Sequence, residues 1–301
     1  MTVCYQDLIG GTSTGGIIAV LLGRLRLSVD KCLEIYASLS KEVFGKQRWG
    51  WGIFQSKFDH KILERVIIER LQHITATTAT EAINSLGGRI DIGAAGGRID
   101  TGNAVDSVSP VINGEEIRMY DNDLQACKAF VTATSGNDAQ KGKPYLFRTY
   151  RSRVGVTNKD CMIWQAIRAT SAAPTFFDPI QIDDEIFVDG GFGCNNPVEF
   201  VYNEARDMWP GRDIGCIVSL GTGVPRVLSV NNPTLFDSRV PMNWLQVLER
   251  TATECDNAHQ EMLRKKELKG KYFRFNVQQG LQGVSLMEWQ KLGETASLTE
   301  A

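Results

Sequence analysis

The segment Leu8-Ile-Gly-Gly-Thr-Ser-Thr-Gly-Gly-Ile-Ile-Ala-Val20 limits what this chain can fold into more than any other. Glycines on both sides of Thr-Ser-Thr disfavour the interior of a strand or a helix. Apolar residues flank the cluster, so a buried extended run must become a buried helix within a few positions. Asp7 to Gly10 reads as the end of a short strand, and Gly15 to Leu22 as a helix. A strand, a sharp turn and a helix in immediate succession point to a layered α/β protein.

The rest of the chain alternates in the same way. Residues 129–133, 145–150, 185–189, 214–220 and 272–277 are short apolar runs of strand type. Helices are predicted from Ser28, from Asp59 to His73, over 161–173 up to Pro174, from Pro197, over 241–266 and over 285–295. Strands that are apolar on both faces imply a mostly parallel sheet. In such sheets sites gather at the carboxyl ends of strands, where Ser13 and Asp189 fall. Between about residues 74 and 114 the periodicity dissolves. Gly87–Ala95 is nearly repeated by Gly96–Ala104, but two copies do not make a repeat architecture. Their glycine spacing fits neither a P-loop nor a dinucleotide fingerprint. The expectation is one domain over 1–301 with a flexible insertion at about 74–114.

Composition removes several classes of function. The 33 basic and 35 acidic residues leave a net charge of −2, which argues against a nucleic-acid partner. Seven scattered cysteines form no C-x-x-C pair and read as reduced structural thiols, not as a metal site or disulfide framework. No signal-peptide pattern opens the chain, and no apolar run reaches the roughly 18 residues of a membrane span. A cytoplasmic, soluble protein is the resulting expectation.

Gly11-Thr-Ser-Thr-Gly15 fits G-x-S-x-G. Gly11 and Gly15 would let the backbone turn sharply and present the Ser13 hydroxyl at a helix N-terminus, where the dipole and free N–H groups favour negative charge. An ordinary βα turn can carry the same residues. A nucleophilic serine also needs a base. His60 follows a helix cap and His73 ends a helix, so both read as structural. Ser13, Asp189 and His259 reproduce the chain order of an α/β-hydrolase triad. However, His259 shares a helical face with Leu248, Ala252, Cys255 and Met262 and reads as a packed residue. Asp189 ends an apolar strand before Gly190-Gly191, with Phe187, Val188 and Phe192 around it. Desolvation there would raise its pKa and strengthen it as a base. A plain Asp-Gly turn has the same residues, and spacing alone does not separate the two.

Four blocks together resemble the patatin-like family of serine acyl hydrolases. They are Asp7–Gly16, Ala169-Thr-Ser-Ala-Ala-Pro-Thr-Phe-Phe177, Val188-Asp-Gly-Gly191 with Asn195-Asn-Pro197, and Ile217-Val-Ser-Leu-Gly-Thr-Gly223. The likeness runs from about Tyr5 to His73 and from about Cys127 to near the end. It implies a three-layer α/β/α fold with a mostly parallel central sheet. It also implies a Ser–Asp dyad in place of a triad, and cleavage of acyl esters in phospholipids or neutral lipids without cofactor or metal. Ser13 matches the family nucleophile and Asp189 the family base. Gly11 and Gly15 match the elbow glycines, Gly190 and Gly191 the Asp-Gly-Gly turn, and the Thr14 N–H remains as a partial oxyanion donor.

The chain departs from the family pattern at its start. Family members carry a strand and a Gly-rich loop well before the elbow, and that loop forms most of the oxyanion hole. Only Met1 to Gln6 precede the elbow strand here. The expectation is therefore a domain truncated at its N-terminus, lacking that strand and loop, with an unpaired sheet edge and an exposed apolar face. The competing reading is a catalytically weakened lipid-binding or signalling module. Lipid substrates imply transient contact with a membrane surface. Trp49, Trp51 and Phe54 beside Arg48 suit such an interface or a substrate mouth, but a loop that packs its aromatics on the core is the favoured reading. Patatin-like domains also occur at the front of multidomain proteins, so further chain beyond Ala301 is a matching expectation.

Overall fold

The computed structural model describes residues 6–45, 56–85, 113–136, 144–152, 160–174, 176–223, 242–277 and 288–291, with 293, 295, 297 and 299. In chain order the elements are β1 (Leu8–Thr12), α1 (Thr14–Ala19), α2 (Val29–Phe44), α3 (His60–Ser85), β2 (Lys128–Ser135), β3 (Tyr145–Arg148), α4 (Ile163–Thr170), β4 (Ile180–Ile182), β5 (Glu185–Asp189), α5 (Val198–Met208), β6 (Ile217–Leu220), α6 (Met242–Arg264) and β7 (Tyr272–Phe275). A π-helical turn, Val20–Arg24, prolongs α1.

The central sheet is organised on β2. β1 lies parallel to it, from Leu8 opposite Lys128 to Thr12 opposite Thr132. β5 lies antiparallel, with Asp189 opposite Ala133 and Phe187 opposite Ser135. β3 pairs antiparallel with residues 130–133. Ala133 thus has both Tyr145 and Asp189 as partners, which places β3 on one edge of β2 and β1 and β5 end to end along the other. β4 completes the sheet as an antiparallel partner of β5. A separate parallel pair is formed by β6 and β7.

The layered α/β architecture is as expected, with helices on both faces of a central sheet. The strand directions correct the expectation of a mostly parallel sheet. Within the described sheet only β1 and β2 run parallel, and the other pairings are antiparallel. For the β2–β3 and β4–β5 pairs the cause is connection length. Residues 136–144 join β2 to β3, and Asp183-Asp184, with Asp183 at φ 56°, join β4 to β5. Parallel pairing needs a crossover of a dozen residues or more. The third helix also runs further than its periodicity predicts, to Ser85 instead of His73. Residues 86–112 of the expected insertion lie outside the described residues, as do Cys4 and the aromatic cluster of Trp49, Trp51 and Phe54.

Side chains alternate across β2. Val131 and Ala133 enter the main core with Cys32, Ile35, Leu39 and Val43 of α2 and Leu63, Val66, Ile67 and Leu71 of α3. These helical residues recur every three or four positions, the spacing of one buried stripe. On the other face, the Phe130 ring and Val201 of α5 fill the space where Gly10 has no side chain. A smaller core of Val198, Ile217, Met262, Leu268 and Tyr272 joins β6 and β7 to α5 and α6. Their other face leaves Val218, Leu220, Phe273 and Phe275 exposed. Among the described residues, no helix is long and apolar enough to cross a membrane.

An ion pair locks α5 to the sheet. Arg148 donates from Nε to Glu204 Oε2 at 2.9 Å and from Nη2 to Oε1 at 2.7 Å, and the Tyr150 hydroxyl donates to Oε2 at 2.7 Å. Both charged side chains are largely buried. Removing one partner strands the other charge. Glu204→Ala is expected to lower unfolding stability by roughly 3 kcal/mol, measured by urea denaturation.

Candidate active site

The register of β2 decides which residues meet. β1 ends with Thr12 opposite Thr132, and β5 ends with Asp189 opposite Ala133, the next residue along the same strand. Because one runs parallel and the other antiparallel to β2, their carboxyl ends abut. Ser13 and Asp189 are separated by 176 residues in sequence, yet Ser13 Oγ donates a 2.7 Å hydrogen bond to Asp189 Oδ2.

Ser13 sits at φ 53° and ψ −124°, a conformation that L-residues other than glycine rarely adopt. Such backbone costs on the order of 1–3 kcal/mol and persists only where its surroundings hold it. Two sets of contacts do so here. The Ser13 N–H donates to Thr170 Oγ1 at 2.9 Å, and the Ser13 carbonyl accepts from the N–H groups of Gly16 and Ile17 at 2.9 and 3.1 Å. α1 therefore starts directly after the serine. The Thr14 N–H belongs to the first-turn donors that have no intrahelical partner.

The flanking glycines are not equivalent. A Cβ on Gly11 would lie 2.1 Å from the Gly15 carbonyl oxygen, so the elbow closes only if residue 11 is glycine. A Cβ on Gly16 would meet Thr170 at 2.8 Å, whereas one on Gly15 would meet nothing within 4 Å. The expectation that Gly15 serves the close turn is thus replaced: its carbonyl is what packs on Gly11, while its own Cα faces open space.

Asp189 is 4% exposed. Burial pushes its pKa up to about 6, against hydrogen bonds from the Gly191 N–H and the Ser13 hydroxyl that favour the ionised form. The Gly191 N–H donates to Oδ1 at 2.8 Å and so fixes which oxygen faces the serine. Asp189 N–H itself donates to the Ala172 carbonyl at 3.1 Å. Gly190 is needed for close approach, since a Cβ there would lie 2.2 Å from Thr132 Oγ1. Behind the pair, the Thr12 hydroxyl donates to the Cys194 carbonyl at 2.7 Å and lies 2.8 Å from Thr132 Oγ1. That link ties the turn after Asp189 back to β1.

The histidines are occupied elsewhere. His259 Nδ1 lies 2.8 Å from the Tyr272 hydroxyl, across the α6–β7 contact. His60 Nδ1 lies 2.8 Å from Asp178 Oδ2, and His73 stands within α3 instead of ending it. No histidine is bonded to the carboxylate that faces Ser13 in the described residues. Sequence reasoning missed Thr170, which lies inside a quoted block but carries no local signal of its role as acceptor. It also missed the cleft that opens at Ser13 and Thr14. Ile17, Leu39, Val43, Phe44, Phe176 and Phe177 form its apolar walls. These residues come from three separate stretches of chain, and only the fold assembles them.

Fold and site together define an α/β protein in which a serine elbow faces a buried carboxylate at the head of an apolar cleft. Residues 4–202 match the family model described as patatin-like phospholipase, and the chain belongs to that family. It is 30% identical over 276 residues to a calcium-independent phospholipase A2-gamma of Oryctolagus cuniculus, covering 90% of this chain and 30% of that protein. The protein of the same description in Rattus norvegicus is 29% identical over 284 residues, with the same coverage. A phospholipase A I of Arabidopsis thaliana is 26% identical over 313 residues, covering 95% of this chain and 23% of its own length. The chain thus spans less than a third of each of these relatives.

The unequal glycines make a direct test of the elbow. Gly11→Ala is expected to lower the melting temperature by several degrees or to prevent folding, because backbone must move to admit the methyl group. Gly15→Ala, in open space at a helix start, is expected to leave it within about one degree of the parent or above it.

Proposed function

We propose that this chain is a lipid acyl hydrolase that cleaves acyl esters of phospholipids or neutral lipids with Ser13 as nucleophile and Asp189 as its base. The observation that carries the reading is the 2.7 Å hydrogen bond from Ser13 Oγ to Asp189 Oδ2 at the mouth of an apolar cleft. Membership of a phospholipase family supports the substrate class.

In the proposed reaction the acyl chain lies along the cleft and the ester carbonyl stands beside Ser13. Asp189 takes the hydroxyl proton as Oγ attacks the carbonyl carbon. The oxyanion that forms is met by the Thr14 N–H and the positive end of the α1 backbone. Asp189 then gives the proton to the departing alcohol, leaving the acyl group on Ser13. Water enters, loses a proton to the same carboxylate and releases the fatty acid. A carboxylate with an ordinary pKa would hold that proton weakly. Burial brings Asp189 close to the range where it can both accept and return one.

The test is labelling of the folded chain with a fluorescent fluorophosphonate. Ser13→Ala is expected to abolish it, Asp189→Asn to slow it by about 10²- to 10⁴-fold, and His259→Ala to leave it near the parent rate. Only ionised Asp189 accepts the proton, so the labelling rate is expected to fall as pH drops through about 6 and to level off above it. A folded parent chain that does not label would sink the hydrolase reading and favour a lipid-binding module.

A further inference from the structure

One stripe of α2 runs from solvent into the cleft beside Ser13. Val29, Leu33, Tyr36 and Ser40 stand four, three and four residues apart, which places them on one helical face. Val29 is 56% exposed and Leu33 is 63% exposed, whereas Tyr36 is partly buried and Ser40 is buried. Tyr36 and Ser40 line the cleft, with Leu39, Val43 and Phe44 of the same helix. The wall of the cleft therefore continues out of the protein along the first two turns of α2.

A single exposed leucine needs no explanation, since much of any protein surface is apolar. Val29 and Leu33 differ because they extend the lining of a cavity. The other exposed apolar group, Val218, Leu220, Phe273 and Phe275 on β6 and β7, contributes nothing to that lining. The cations beside Val29 in sequence are engaged by carboxylates. Arg26 lies 2.9 Å from Asp121 and 3.0 Å from Asp123, and Lys31 lies 2.8 Å from Glu34. The tip of α2 thus offers apolar contact rather than a basic attraction. Two side chains are far too few for a stable protein interface, which takes about 20–30 residues a side. They suffice for shallow entry into a lipid surface, where each apolar group leaves water without needing a shaped partner.

We propose that the N-terminal two turns of α2 dock on a lipid surface through Val29 and Leu33, and that this contact holds the mouth of the cleft against the membrane. The proposal rests on the reading of the cleft as the acyl site and names the surface that delivers the substrate to it. An acyl chain leaving the bilayer beside Leu33 passes Tyr36 and reaches the cleft without crossing water. Because the contact is apolar, neutral lipid supports it and added salt weakens it little.

Vesicles of a diether phosphatidylcholine have no acyl ester to cleave, so co-sedimentation with them measures docking apart from catalysis. The parent chain is expected to bind, and fivefold more salt to change its partition by less than about 2-fold. Val29→Ser combined with Leu33→Ser is expected to weaken binding by about 10-fold or more at an unchanged melting temperature. Leu33→Trp is expected to tighten it, which a folding defect could not do, because tryptophan favours the membrane interface. Val218→Ser combined with Leu220→Ser is expected to bind like the parent. The proposal is overturned if the parent does not sediment with the vesicles, or if binding collapses with salt. It is equally overturned if the α2 double variant binds like the parent, if Leu33→Trp weakens binding, or if the β6 variant is the one that loses it. A parent that self-associates, and an α2 double variant that does not, would make this face a protein interface instead. Fluorophosphonate labelling decides separately whether Ser13 is reactive, so a loss of docking and a loss of the hydrolase reading are distinct results.

Discussion

The site depends on the hydrogen-bond register of β2. A single strand carries β1 and β5 on one edge, and their ends fall opposite Thr132 and Ala133. A slip of one residue in either pairing would turn that strand's side chains to the opposite face of the sheet. The register is protected by what lies on the two faces. Val131 and Ala133 are committed to the helical core, while Phe130 and Thr132 face the other way, against the bare backbone of Gly10 and Gly190. A shifted β2 would bring side chains onto backbone that has no room for them. The placement of Ser13 against Asp189 is thus inherited from how β2 packs on both faces of the sheet.

That inheritance lets the strained elbow persist. Left-handed backbone at Ser13 is unfavourable in isolation, and the Thr170 hydroxyl that accepts its N–H comes from the end of α4. α4 is held in turn by Arg168, which is fully buried, lies 3.2 Å from Glu64 of α3 and donates to the Asp178 carbonyl. Arg168 also stands over the Phe177 ring at 5.8 Å. One cation therefore joins α3, α4 and the segment that walls the cleft. The conformation of the serine, the position of its clamp and the shape of the cavity are coupled through it.

Much of this was legible in the chain. The Gly-Gly-Thr-Ser-Thr-Gly-Gly text, set between apolar runs, announces a strand, an elbow and a helix, because few other folds accept that many glycines beside buried residues. Asp189 was visible as the end of an apolar strand, but its partner was not: nothing local links residues 13 and 189. The family resemblance supplied that pairing where spacing left it open. Strand direction was misread because apolar runs buried on both faces suggest parallel strands, whereas short connections decide otherwise between β2 and β3 and between β4 and β5. Thr170 gave no signal of its role as acceptor, since a hydroxyl reveals its role only through the neighbours that the fold brings to it.

A carboxylate acting without histidine faces a specific difficulty on the proposed mechanism. At an ordinary pKa it is too weak a base to draw a proton from a hydroxyl and too strong an acid to keep it until the alcohol leaves. Burial at 4% exposure corrects both faults at once, because desolvation penalises the charged form and raises the pKa to about 6. The correction is bounded by the Gly191 N–H, which stabilises the ionised form and also fixes the direction of Oδ1. In a triad a separate carboxylate orients the histidine. Here one backbone N–H from the Asp-Gly-Gly turn orients the base directly, so the second glycine of that motif acts on the chemistry through its amide. The first glycine acts through its absent side chain, which lets the turn close on Thr132.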